Sequence, residues 1–334
     1  MAAAPANSNT VGVPIEIREI VPSRRQPTLA EDVRAGFAER PRSLPPKYFY
    51  DARGSELFDR ICDTPEYYQT RTEDALLREA AAEILAAQRP DHIVELGSGT
   101  SRKTRRLLDA CEPLSITPRY WPFDVCQEVV ERAGRDLTAS YPWLPVTGLV
   151  GDYLAGLGGL ELPQGRCLYV FLGGTLGNFD TGESVAFLSE LRERMSEGDG
   201  LLLGVDRVKD PAVLEAAYDD AQGITAAFNR NVLNVLNREL GADFPLEQFR
   251  HRAVYNAAEA RVEMYLVAQA ALEVPVERLG RSYRFEAGEA LLTEISRKFT
   301  VDTLETELRE AGLRVVTNHE PPDRYFSLVL ARPD

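Results

Sequence analysis

Three carboxylates and two glycines stand where an open sheet would present them to a nucleotide-type ligand. The run Glu95-Leu96-Gly97-Ser98-Gly99-Thr100 follows a short apolar stretch, His92 to Leu96, and leads into a helical pattern that carries Leu107 and Leu108. Glycine permits a tight strand-to-helix turn and lets a ligand come close to the backbone. The run departs from G-x-G-x-x-G because Arg102 holds the third glycine position, and no Gly-Lys-Ser/Thr of a phosphate loop is present. Such a turn suits a ligand with no pyrophosphate to cradle. Asp124 closes the next apolar run, Tyr120-Trp-Pro-Phe-Asp124, and an acid there can accept both hydroxyls of a ribose. Asp152 closes the one after, in Gly-Asp-Tyr, where it can accept an adenine amino group with Tyr153 beside the ring. Taken singly, either aspartate reads as well as a helix cap or a surface acid. At successive strand ends, where open α/β sheets bind ligands, the three carboxylates point to S-adenosylmethionine, and hence to methyl transfer.

A fourth apolar run ends Phe171-Leu-Gly173-Gly174-Thr-Leu-Gly177-Asn178. Gly173 allows a substrate to approach closely, and the Asn178 amide can hold a polar substrate group near the cofactor. A plain turn would account for the same glycines. The densest basic cluster, Arg102-Lys103 with Arg105-Arg106, sits just past the first turn and reads in the main as a solvated helix face.

These groups need an ordered scaffold, and the pattern supplies one. Apolar runs at His92–Leu96, Tyr120–Val125, Val146–Val150, Arg166–Leu172 and Gly200–Asp206 alternate with helical periodicity at Thr72–Gln88, Val129–Leu137 and Ser184–Met195. That alternation predicts an α/β fold with a mostly parallel sheet covered on both faces, Rossmann-like in its ligand site. It breaks after Asp206: residues 210–240 read as helical and residues 253–286 as antiparallel strands. A helix from Val301 to Ala311, stopped by Gly312, and two strands at Leu313 and Phe326 return to type. The expected division is 72–208 with 299–334 as the cofactor-binding domain, and 16–71 with 209–298 as a discontinuous, smaller α+β substrate domain. Residues 1–15, rich in Ala, Pro, Asn and Ser, are expected to be disordered.

Composition narrows the partners. The 334 residues are 44% hydrophobic and 27% charged, with a net charge of −14. No basic stripe suggests nucleic-acid binding, and no unbroken apolar window of roughly 18 residues suggests a membrane span. Four scattered cysteines and three unpaired histidines argue against a disulfide framework and a metal site. The start of the chain carries no secretory pattern. A monomeric cytoplasmic protein without metal is the expectation.

Longer motifs carry a resemblance. Phe49-Tyr-Asp-Ala-Arg-Gly-Ser55, Pro65-Glu-Tyr-Tyr68, Val94–Thr104, Phe171–Asn178, Tyr218–Asn231, Val262-Glu-Met264 and Leu292-Thr-Glu-Ile-Ser-Arg-Lys-Phe299 together make the chain resemble the histidine-specific N-alpha-methyltransferases of ergothioneine biosynthesis, from about Leu44 to the C-terminus. The resemblance implies a class I methyltransferase fold and trimethylation of L-histidine to hercynine. It implies that Gly97, Lys103, Asp124, Asp152 and Tyr153 bind the cofactor. It implies that Tyr67, Asn178 and Tyr218 hold the amino and carboxylate groups of histidine, with Tyr50 beside the amine, and that Met264, Glu294 and Ser296 read the imidazole. Packing explains Tyr50, Tyr67, Tyr218 and Met264 equally well on residue type alone, and Glu294 could be a surface acid.

The chemistry is an in-line displacement by a neutral amine, for which positioning is the main lever. Tyr50, Asn178 or bound water could orient the amine and relay its proton; a phenol with pKa of about 10 is a poor base unless shifted. If Glu294-x-Ser296 is extended, both side chains share one face and can engage the two ring nitrogens. Three other readings compete: methylation of tryptophan or a related aromatic amino acid, a nicotinamide-dependent oxidoreductase, and a non-catalytic binding module.

Overall fold

The computed structural model describes residues 15–334. The segment expected to be disordered lies outside the described residues except for Ile15, which packs over Gly134. In chain order the elements are β1 (Glu16–Glu19), α1 (Leu29–Gly36), β2 (Arg42–Ser43), α2 (Ala52–Cys62), α3 (Tyr68–Gln88), β3 (His92–Leu96), α4 (Arg105–Cys111), β4 (Arg119–Asp124), α5 (Gln127–Ser140) and β5 (Thr147–Val150). There follow β6 (Cys167–Phe171), α6 (Thr181–Arg194), β7 (Gly200–Asp206), α7 (Pro211–Tyr218), α8 (Ile224–Leu240), β8 (Phe249–Asn256), β9 (Arg261–Ala268), β10 (Leu272–Val276), β11 (Arg281–Phe285), β12 (Ala290–Arg297), α9 (Val301–Glu310), β13 (Leu313–His319) and β14 (Phe326–Pro333).

An eight-stranded sheet runs β1-β5-β4-β3-β6-β7-β14-β13. Its β5-β4-β3-β6-β7 core is parallel, and β14 and β13 close one side antiparallel. Strands β3, β6 and β7 are buried along their whole length, as a sheet sandwiched between helices requires. Side chains alternate between two apolar layers. Along β6, Tyr169 and Phe171 face the layer under α6 and α9, and Leu168 and Val170 face the layer under α3 and α4. Helix α3 buries Leu76, Leu77, Ala80, Ala81, Ile84 and Leu85 at the expected three- and four-residue steps. It begins four residues earlier than its periodicity predicts, which puts Tyr68 and Gln69 in its first turn.

The second body is a β2-β12-β9-β8 sheet with the β10–β11 hairpin, packed with α1, α2, α7 and α8 around Phe37, Phe49, Phe228, Phe249 and Met264. One part of the expected division is corrected. Residues 16–19 belong with the large sheet, because β1 pairs in parallel with β5 at its edge and Ile20 N–H continues the ladder to Val150 O. Four residues with three charges give too short a period to announce a strand; Ile17, lying over Gly148, supplies its anchor.

Candidate active site

The glycine turn is open where a ligand would enter. Gly97 and Gly99 have φ of +67° and +48°, conformations that favour glycine. Among the described residues, a side chain at Gly99 would meet nothing within 4 Å, and one at Gly97 would meet only the Tyr153 side chain, at 3.7 Å. Within the turn the buried Ser98 hydroxyl has no hydrogen-bond partner among the described residues. These are features of a cradle shaped for a bound group. Asp124 braces it: Oδ2 accepts Gly99 N–H at 2.9 Å and Oδ1 accepts Cys126 N–H at 3.1 Å. Asp152 caps the following 3₁₀ turn through Leu154 N–H at 2.8 Å. Tyr153 packs edge-on to Phe171 at 5.7 Å between ring centres. Glycines 97 and 99, Asp124, Asp152 and Tyr153 therefore meet at the carboxyl ends of β3, β4 and β5. Below them Glu95 is fully enclosed; burial pushes its carboxyl up to about 7 against the bonds from Thr104 and Tyr120.

Lys103 stands beside this cradle, paired with Glu73 of α3. Glu73 is buried, and its two oxygens accept Gly173 N–H at 2.9 and 3.0 Å. One carboxylate thus ties the cofactor turn to the loop after β6. Gly173 itself has φ of +83°.

The residues expected on the substrate side converge from six segments: the turn at Tyr50, the start of α3, the loop after β6, α7, β9 and β12. Ring centres run from Tyr50 to Phe58 at 5.8 Å, Phe58 to Tyr67 at 6.3 Å, and Tyr67 to Tyr218 at 6.2 Å. The Tyr218 hydroxyl donates to Ser296 Oγ at 2.7 Å. On β12, Glu294 and Ser296 lie two apart on extended backbone, and Met264 of β9 is the direct cross-strand partner of Glu294. The 3₁₀ turn Thr175–Asn178 presses on this strand: a side chain at Gly177 would stand 2.8 Å from Arg297 O. Gly177, the neighbour of Asn178, is thereby held against Ser296. Glu294 is only part-buried by surface area, yet burial pushes its carboxyl up to about 7, with Lys298 pulling the other way. Tyr50 is 39% exposed, and its hydroxyl is raised well above the ordinary phenol value by the surrounding protein first and by Glu294 second.

Behind the site lies a hub that sequence reasoning missed. Asp206, at the end of β7, accepts from Tyr68, Gln69, Lys209 and Lys298. Lys298 also donates to Tyr218 and Ser296, each at 2.9 Å. The signal was available, because Asp206 is an acid at the end of a parallel strand like Asp124 and Asp152, and Lys298 lies two residues past Ser296 in the same motif.

A glycine cradle flanked by carboxylates, on a parallel sheet of order β5-β4-β3-β6-β7 with an antiparallel closing pair, defines an S-adenosylmethionine-dependent class I methyltransferase with a Rossmann-like fold. The chain belongs to the family described as histidine-specific methyltransferase, SAM-dependent, whose model matches residues 29–333. It is 51% identical over 304 residues to the histidine N-alpha-methyltransferase of Mycolicibacterium smegmatis, covering 91% of this chain and 94% of that one. It is 48% identical over 286 residues to the histidine N-alpha-methyltransferase of Mycobacterium tuberculosis, covering 85% and 88%. Ergothioneine biosynthesis protein 1 of Schizosaccharomyces pombe is 28% identical over 288 residues, which are 83% of this chain and 37% of that larger protein.

Proposed function

We propose that this methyltransferase adds three methyl groups in succession to the alpha-amino nitrogen of L-histidine, giving hercynine for ergothioneine synthesis. The observation that carries the substrate is the pairing of Glu294 and Ser296 on one face of β12, with Met264 opposite. An imidazole offers one N–H and one bare nitrogen, and this pair offers an acceptor and a hydroxyl. Tryptophan has an N–H and no ring acceptor, so it would leave one member of the pair unanswered, a strong basis for rejection.

When bound, S-adenosylmethionine supplies an electrophilic methyl group on its sulfonium. Gly97, Asp124, Asp152, Tyr153 and Lys103 would hold it above the sheet. Tyr67, Asn178 and the Gly173 loop hold the amino-acid end of the substrate so that the amine faces the cofactor turn, and Tyr218, whose hydroxyl is already bonded to Gln69, Lys298 and Ser296, lines the site with its ring. The nitrogen lone pair forms the new C–N bond as the C–S bond breaks, with its electrons going to sulfur. An ammonium lacks that lone pair, so each attack by a protonated amine waits on loss of a proton to water. Tyr50 stays protonated and orients the amine instead of removing its proton, because its surroundings hold the phenol well above its ordinary pKa.

The reading takes the enzyme as a monomer. The substrates are small and soluble, which supports action in the cytoplasm without nucleic acid, membrane or metal. Residues from α1 to Tyr67 together with 209–298 form the substrate domain of this reading. Incubation with S-adenosylmethionine and L-histidine or L-tryptophan, with mass detection of one, two and three added methyl groups, tests it. Trimethylhistidine is the expected product; methylation of tryptophan with histidine untouched would reject the proposal.

A further inference from the structure

We propose that Lys298 is a positioning residue: it fixes the Ser296 hydroxyl as a hydrogen-bond donor, so that the site reads one neutral tautomer of the substrate ring. The proposal rests on the histidine reading above. The Lys298 side chain is fully buried and has three acceptors, Asp206 Oδ2, Tyr218 Oη and Ser296 Oγ, each at 2.9 Å. An ammonium has three N–H donors and no acceptor, so all three are committed. Tyr218 Oη also receives Gln69 Nε2–H at 3.0 Å. With two donors on its oxygen, Tyr218 spends its own proton on Ser296 Oγ at 2.7 Å. Ser296 Oγ then accepts from both Lys298 and Tyr218, which fills its two lone pairs. Its single proton is left for a further partner, and the atom that meets it must be an acceptor.

That atom is the unprotonated ring nitrogen. Glu294, on the same face of β12, takes the N–H of the other nitrogen. Donor and acceptor are thus set by a residue that never touches the substrate. The Asp206 carboxylate beside it secures the charge of Lys298: burial opposes the ammonium, but Asp206 and Tyr218 outweigh it and raise the pKa. Without Lys298, both Tyr218 and Ser296 regain a lone pair. The serine hydroxyl is then free to turn inward and donate to Tyr218.

The test is the kinetics of K298M, S296A and the double variant with L-histidine, alongside S-adenosylhomocysteine binding. K298M is expected to raise KM for L-histidine by about 10–100-fold, the scale of one hydrogen bond involving a charged group, while kcat falls less than about threefold. S-adenosylhomocysteine affinity stays within about twofold, and K298M/S296A is no worse than the weaker single variant, because both act through one hydroxyl. Additive losses, an unchanged KM, or cofactor affinity falling in step with KM would each overturn the role. K298Q keeps amide donors in the same place and guards against a misfolded K298M; it is expected to show a smaller rise in KM, and a rise as large as that of K298M in a folded K298Q would reject the proposal. Wild-type enzyme that leaves L-histidine unmethylated is a separate result, seen before any variant is made, and it removes the histidine reading itself.

Discussion

Gly204 and Glu73 share one volume: a side chain on Gly204, in the middle of β7, would stand 1.8 Å from Glu73 Oε1. The missing side chain in an otherwise continuous apolar strand admits a carboxylate from α3 to the top of the sheet. There it holds Gly173 N–H and Lys103 together. Gly204→Ala is therefore expected to destabilise the protein by about 1–3 kcal/mol, the usual cost of overpacking. It should also weaken both S-adenosylhomocysteine and histidine binding, because Glu73 braces both sides. Denaturant unfolding and calorimetric titration of the two ligands would show this, and unaltered affinity for both would disprove the link.

Glu294 titrates in the working range. Its bond to the ring N–H is charge-assisted only as carboxylate, so kcat/KM for histidine should decline as pH drops through about 7. The stability effect has the opposite sign to that of a salt-bridged acid. A carboxyl held above its ordinary 4.5 binds its proton more tightly when folded, so its cost to stability grows as pH rises from about 4.5 to about 7. Glu294→Gln should then stabilise the enzyme at pH 8 by roughly 1–3 kcal/mol while raising KM for histidine and admitting other aromatic amino acids. Loss of stability at pH 8 or unchanged selectivity would contradict this assignment.

Asp124 braces the turn and, on the proposed reading, holds the cofactor as well. Asp124→Ala is expected to weaken S-adenosylhomocysteine by about 10–100-fold, the range for losing a charge-assisted hydrogen bond. Histidine affinity should change far less, since Asp124 lies on the opposite side of the Lys103–Glu73 brace. Equal losses for both ligands would point to a collapsed turn instead.

Tyr50 lacks the pKa of a base, and Tyr50→Phe should show it. We expect a fall in kcat/KM of no more than about 10-fold, with all three transfers retained and the pH profile unmoved. Accumulation of mono- or dimethylhistidine, or a displaced acid limb, would return Tyr50 to the proton path.

The cofactor side was the more legible part of the molecule. Glycines and acids at strand ends announce themselves through local spacing, and the parallel core follows from apolar runs alternating with helical periods. The substrate side was read through its resemblance to a family, because Tyr50, Tyr67, Tyr218 and Glu294 come from distant segments whose approach no local period encodes. Glu73 stayed hidden because an acid in a helical pattern ordinarily faces water; only the notch at Gly204 reveals where it goes. The edge strand Glu16–Glu19 stayed hidden because its partner, β5, lies more than a hundred residues downstream.

Gly177 sits against the backbone of Arg297 with no room for a methyl group between them. On the proposed reading, the loop that would face the reacting nitrogen and the strand that would read the ring are consequently set at a fixed spacing, like the jaws of a calliper. What such a device measures is side-chain length. An amino acid with the same imidazole on one additional methylene could satisfy either jaw but not both, so homohistidine should bind poorly or sit with its amine out of line and turn over slowly. Gly177→Ala, by forcing the jaws apart, should narrow the gap in turnover between homohistidine and histidine, and an unchanged ratio would show that length is gauged elsewhere.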